Sequence, residues 1–231
     1  MEYEHHHRNL QGGGARAAVF GVSDGLVSNV ALVLGIAGAQ SSGGAVRLAG
    51  LAGLIGGAFS MAAGEYVSMR AQSELFEREL AVEREAIRRE PEGERDELAL
   101  IYRDRGVGPQ LADALSAEMM RDPELALQTH AREELGIDPE RTGNPLQAAV
   151  SSFLTFAVGA LIPLLPWLFV QGATAIAWSV GLGGAAALGV GAGLSYFTGR
   201  SWWWSATRQL LVAAAAAGVT TLIGHAVGHG G

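Results

Sequence analysis

The chain has 231 residues, a formal net charge of −7, no cysteine and a positive mean hydropathy. The missing cysteines exclude disulfides, thiolate metal sites and cysteine nucleophiles. The acidic balance excludes nucleic acid as a partner, because phosphate recognition needs a basic face.

Charge is packed into one stretch. Of 23 acidic residues, only Asp24 and Glu65 lie inside long apolar segments, while 19 fall between Glu74 and Glu140. Residues 1–14 read as a polar tail, and Met1 to Gln11 lacks the apolar core of a cleavable signal peptide, so the first apolar segment is expected to be retained. His5-His6-His7 reads equally as a residual tag or a native metal-scavenging tail.

Five stretches are long enough to span a bilayer: Arg16 to Ala39, Arg47 to Met69, Pro145 to Val170, Ala173 to Thr198 and Trp203 to Val227. Each reaches the roughly 20 residues that a ~30 Å hydrocarbon core requires of a helix. They are rich in Gly and Ala, as in the run from Gly181 to Gly193, which lets helix backbones approach closely in lipid. The expected fold class is therefore all-α and polytopic. Two spans lie in residues 15–70 and three in 142–231, with a charged helical domain, residues 71–141, inserted between the second and third.

In the first span Asp24 is the sharpest signal, matched by Glu65 in the second. A carboxylate in a spanning helix is costly and marks an ion or proton path by default. Asp24 lies eight residues beyond Arg16, and Met61 and Glu65 lie nine and five residues before Arg70. At 1.5 Å per residue these positions fall roughly 7 to 13 Å inside the same boundary, so they can share one layer. Met61, Glu65 and Met69 are spaced i, i+4, i+8 and form one stripe. A lone membrane methionine usually serves packing. Beside two carboxylates, a thioether suits a borderline transition metal better than Mg²⁺ or Ca²⁺. Ser23, Ser28 and Asn29 add polar groups near Asp24, although serine in a membrane helix more often bonds its own backbone. Gly25 reads either as a close-approach position or as a local opening whose carbonyls face an ion.

The charged domain reads as three or four helices, the first continuing out of the second span. Leu75, Leu80, Ile87, Leu98, Ile101 and Tyr102 recur at helical spacing. Pro91 and the Gly106 to Pro109 stretch mark breaks, Asp122-Pro123 an N-cap with a first-turn proline, and Gly136 a C-terminal stop. Glu79 with Glu83, Glu94 with Glu97, and His130 with Glu133 each place two ligands on one helix face, as bundle metal sites do. Interleaved runs such as Glu83-Arg84-Glu85 equally read as solvated faces laced with ion pairs.

Every one of the 16 basic residues is arginine. With the N-terminus inside, Arg8, Arg16, Arg70, the charged domain, Arg200 and Arg208 are cytoplasmic and only Arg47 is outside, which predicts that orientation. Trp202 to Trp204 then sit where an interfacial aromatic belt is expected. The absence of lysine and the compact N-terminus point to a bacterial inner membrane.

Ala17-Ala-Val-Phe-Gly-Val-Ser-Asp-Gly-Leu-Val-Ser-Asn29, Ala62-Ala-Gly-Glu-Tyr-Val-Ser68, Glu133-Glu-Leu-Gly136 and Pro145-Leu-Gln-Ala-Ala-Val-Ser-Ser152 occur in this order. Together they resemble the vacuolar iron transporter family, the plant and yeast vacuolar iron and manganese loaders and their bacterial relatives, over nearly the whole chain from Arg16. The resemblance implies a five-span homodimer whose path runs between the two first and second spans. It further implies exchange of cytosolic Fe²⁺, or related ions such as Mn²⁺, for protons, with a cytoplasmic three-helix domain gathering metal.

By that resemblance the path acid falls on Asp24 and the path methionine on Met61, and Glu65 lies in the shared second-span motif. The domain glutamates fall on Glu83, Glu94, Glu97 and Glu134, and a further one falls on Ala86 beside Glu85. The family's methionine pair appears here as His130-Ala131, which leaves the domain's ligand set open, with imidazole a candidate replacement for one thioether. Met119-Met120 lies ten residues earlier and is not that pair.

The expected partners are metal ions, protons, the lipid bilayer and a second copy of the chain, with no prosthetic group and the metal as substrate. A membrane-anchored metal store or sensor is the rival reading, but an anchor has no use for Asp24 and Glu65. A di-iron carboxylate oxidase would need paired Glu-x-x-His elements, and His130 is the single histidine of the domain; no enzyme is expected.

Overall fold

A computed structural model of the chain describes residues 13–39, 42–139 and 143–229; the histidine run at 5–7 and most of the N-terminal tail lie outside these. The described residues form eight helices and no strand: α1 Gly13–Gly38, α2 Gly43–Arg89, α3 Pro91–Asp104, α4 Pro109–Met119, α5 Pro123–Glu133, α6 Pro145–Phe169, α7 Gly172–Thr198 and α8 Trp202–His229. Of these, α1, α2, α6, α7 and α8 are long and apolar enough to cross a membrane. The chain divides into two compact units, Met1–Val67 with Asn144–Gly231, and Ser68–Gly143.

The 47 residues of α2 would extend about 70 Å at 1.5 Å per residue, far more than a bilayer needs. Its apolar part ends at Met69, and charge begins at Arg70 and Glu74, which form an i, i+4 ion pair at 2.8 Å.

In the larger unit α1 is the central helix, packed against α6, α7 and α8. Glycines allow its approach to α6: a Cβ on Gly25 would run into the Phe156 carbonyl, and one on Gly159 into that of Val22. Gly25 thus serves the close approach, one of the two readings its sequence position allows. Leu26, Val30 and Leu34 pack against Ala187 and Ala213, and Val33, Val46 and Leu164 surround Trp167. With no hydrophobic force between helices in lipid, such packing and cross-helix hydrogen bonds hold the bundle. Ser179 donates to the Pro163 carbonyl at 2.7 Å, Gln209 to Ser23 at 2.6 Å, and Thr220 to the Ala31 carbonyl at 2.7 Å. Along α2 a row of large apolar side chains, Leu48, Ile55 and Phe59, stays exposed.

In the smaller unit the charged part of α2 is joined by α3, α4 and α5. Each of those three opens with proline at its first position, where the missing N–H breaks no helical bond. Asp122 caps α5, accepting from the backbone N–H groups of Glu124 at 2.9 Å and Leu125 at 3.4 Å. Gly106 and Gly136 end α3 and the turn after α5 with φ of 92° and 65°, where a side chain would be strained. Ile87, Ala126 and Leu127 form the core with Leu80 and Met120.

Candidate metal centres

Asp122 and Pro123 start α5 so that its last turn buries His130 completely, at 0% exposure. The Nδ1 of His130 lies 3.2 Å from Glu83 Oε1 on α2, 3.3 Å from Glu134 Oε2 at the end of α5, and 3.9 Å from Glu94 Oε2 on α3. Ligand atoms of Glu83, Glu94 and His130 all lie within 4.8 Å of one another. Glu83 Oε1 and His130 Nε2 are buried without a hydrogen-bond partner.

Burial pushes the Glu83 carboxyl above its ordinary value; His130 opposes this, and the carboxylates of Glu134, Glu94 and Glu97 add to it. Burial raises Glu94 as well, again against His130 and reinforced by Glu97, Glu134 and Glu90. One buried carboxylate, Glu83, and a half-buried one, Glu94, with the exposed Glu134 beside them, are short of positive charge, which a divalent cation supplies.

The other sequence-predicted ligands divide between this cluster and its surroundings. Glu97 stands close enough to act on Glu83 and Glu94 electrostatically. Glu133, expected beside His130, is instead paired with Arg105, which also donates to the Glu133 carbonyl at 3.0 Å. Positions i+3 and i+4 both lie on the His130 side of the helix; with Glu133 held by Arg105, it is Glu134 that reaches the histidine. Glu79 is half-buried one turn before Glu83 and outside the group. Elsewhere the interleaved charges are ion pairs: Arg88 and Arg89 hold Glu85, and Arg103 holds Asp113.

The larger unit has its own polar feature, a cavity of about 310 Å³ lined by Asp24, Ser28 and Asn29 of α1, Ser60 and Met61 of α2, and Phe156 of α6. Gly53 and Gly57 of α2 complete its wall. Ser28 donates to the backbone carbonyl of Asp24, the local bond expected of a helical serine. Asn29 is 2% exposed and donates from Nδ2 to the Ala160 carbonyl at 2.6 Å, which leaves its Oδ1 enclosed without a partner.

Asp24 and Met61 therefore share one chamber, but Glu65 does not line it. The Arg16 guanidinium lies 3.6 Å from Glu65 instead. Met69 is buried, belongs to the smaller unit and is not among the residues that line the cavity. The parts of Phe156 and Arg16 carried no local signal, because both depend on contacts between separate helices.

Five apolar spanning helices, two of them carrying carboxylates, define a polytopic integral membrane protein. The chain belongs to the VIT family, which it matches over residues 15–225. It is 41% identical over 153 residues to a vacuolar iron transporter of Acanthamoeba castellanii, covering 66% of this chain and 55% of that protein. It is also 36% identical to vacuolar iron transporter 2 of Oryza sativa subsp. japonica, over 80% of this chain and 75% of the relative. Vacuolar iron transporter 1 of the same plant is 33% identical over 78% of this chain and 73% of its own length. The chain thus spans about half the length of the Acanthamoeba relative and about three quarters of the rice ones.

Proposed function

We propose that the chain exports divalent transition metals, Fe²⁺ foremost with Mn²⁺ among them, from the cytosol in exchange for protons. Iron as cargo is supported by the names of its relatives. The single observation that carries the reading is the meeting of Asp24 and Met61 at one cavity between spanning helices. A carboxylate with a thioether is a donor set for a borderline metal, and a carboxylate exchanges protons as well as metal. Metal and proton then compete for the same oxygens, which couples their movements.

A homodimer completes the path in this proposal. Asp24 is exposed on the surface of the single chain, and so is the apolar row of α2. A carboxylate facing lipid is costly, and a second copy placed over α1 and α2 removes that cost. The smaller unit, on the cytoplasmic side by the arginine distribution, gathers metal at Glu83, Glu94, Glu134 and His130 and hands it on. The metal is cargo throughout.

Purified protein in liposomes, with an imposed pH gradient and a metal-sensing dye, tests this. The wild type is expected to move Fe²⁺ and Mn²⁺, while Asp24→Ala and Met61→Ala lose at least about tenfold in flux, the effect of a 1.4 kcal/mol loss. A wild type that moves neither ion, or two variants that transport normally, defeats the proposal. Metal binding without flux in the wild type would favour the membrane-anchored store.

A further inference from the structure

The acidic cluster of the smaller unit is built without sulfur. Met120 is packed against Ile87, Ala126 and Leu127 in the apolar core, and the sulfur of Met119 is an acceptor for the Thr129 hydroxyl at 3.9 Å. The chain has no cysteine. What remains around the cluster is one imidazole and several carboxylates. His130 is 0% exposed, with Nδ1 within 3.2 to 3.9 Å of oxygens from three glutamates on α2, α3 and the end of α5. Glu83, 7% exposed, presents to that nitrogen an oxygen lacking any hydrogen-bond partner.

A nitrogen donor added to oxygens favours the later divalent metals of the row more strongly than oxygens alone. Carboxylates suit Mn²⁺, imidazole suits Zn²⁺, Cu²⁺, Ni²⁺ and Fe²⁺, and at a given site affinity rises along the row from Mn²⁺ through Fe²⁺ and Co²⁺. We propose that His130 is the specificity-determining ligand of the smaller unit and makes it bind Zn²⁺ and Co²⁺ more tightly than Fe²⁺ or Mn²⁺. This rests on the reading of that unit as a metal site. It goes further in separating the ions the unit holds best from the ion proposed as cargo. The selection of Fe²⁺ then falls to the Asp24 and Met61 cavity, and Zn²⁺ held at His130 acts as a competitor that occupies the unit without being the preferred passenger.

The test is equilibrium metal binding to the full-length protein in detergent. Its background has alanine at Asp24 and at the other five of the six histidines, His5, His6, His7, His225 and His229. Zn²⁺, Co²⁺ and Mn²⁺ are titrated in turn, and the visible absorption of bound Co²⁺ reports its ligand field. His130→Gln is expected to weaken Zn²⁺ and Co²⁺ by at least about tenfold, equivalent to 1.4 kcal/mol, to alter the Co²⁺ spectrum and to change Mn²⁺ much less. Glu83→Gln, which removes an oxygen, is expected to weaken all three and keep their order.

Equal losses for Mn²⁺ and Zn²⁺ in His130→Gln overturn the inference. If that variant fails to fold, the background protein decides: Zn²⁺ bound no more tightly than Mn²⁺ also overturns it. Failure of the transport proposal is read separately, as a wild type that binds metal in this assay but moves none in liposomes.

Discussion

The Arg16 guanidinium lies 3.6 Å from the Glu65 carboxylate and ties the start of α1 to α2 within the spanning unit. The carboxylate is largely enclosed, with a side chain 15% exposed, while Arg16 reaches out at 58%. Removing the arginine leaves an acid in a spanning helix without a counter-charge. Because one partner is well exposed, the coupling is set at about 1 kcal/mol rather than the several expected of a fully buried pair. Arg16→Gln is expected to lower the melting temperature in detergent by about 2–4 °C. The Arg16→Gln/Glu65→Gln double variant is expected to recover most of it, and strictly additive effects would show that the pair is not coupled.

The α1 and α6 backbones meet at Gly25 and Gly159, where a Cβ would enter a carbonyl of the opposite helix. Gly159→Val is expected to abolish folded protein in detergent chromatography, since the clash is with backbone that cannot turn aside. Gly189, which has open space around it, provides the control. Gly189→Ala is expected to be neutral or to gain up to about 1 kcal/mol from helix propensity.

Glu83 carries the pH dependence of the metal-free smaller unit. Its folded-state value is raised by burial, with His130 opposing and Glu134, Glu94 and Glu97 adding. The folded protein therefore binds that proton more tightly than the unfolded chain. Its stabilising effect is complete below the unfolded carboxyl value and is lost as pH rises through the folded one. In chelator, the wild type is expected to melt like Glu83→Gln at low pH and progressively below it as pH rises. Metal added at neutral pH should reverse the order, because only the wild type keeps the anionic oxygen. A pH-independent difference between the two would contradict this account.

The exposed row on α2 tests the homodimer. The chain has no cysteine, so single cysteines report contacts cleanly. Ile55→Cys or Phe59→Cys is expected to cross-link pairs of chains in membranes, while Val180→Cys, exposed on α7, is not. Equal cross-linking at all three positions would remove the argument for a partner over α2.

Much of the architecture was legible along the chain because its causes are local. A spanning helix is announced by twenty apolar residues in a row, and Pro91, Pro123, Asp122 and Gly136 act through their own backbone chemistry. The shared height of Asp24 and Met61 followed from counting residues against Arg16 and Arg70. For the acidic cluster, spacing nominated Glu79, Glu83, Glu94, Glu97, His130 and Glu133, and the resemblance added Glu134. Spacing alone could not tell a ligand from a solvated charge.

The sequence by itself determined the all-helical build, the five apolar spans, the absence of thiols and the two intramembrane acids, since each depends on residue type and near-neighbour order. Only the tertiary structure decided which acids stay unpaired: Arg105 takes Glu133, Arg16 takes Glu65, and three elements converge on His130. The reason is geometric. A helix offers side chains at every 100° around its axis, and which of them faces a neighbour depends on the phase and crossing of helices far apart in the chain.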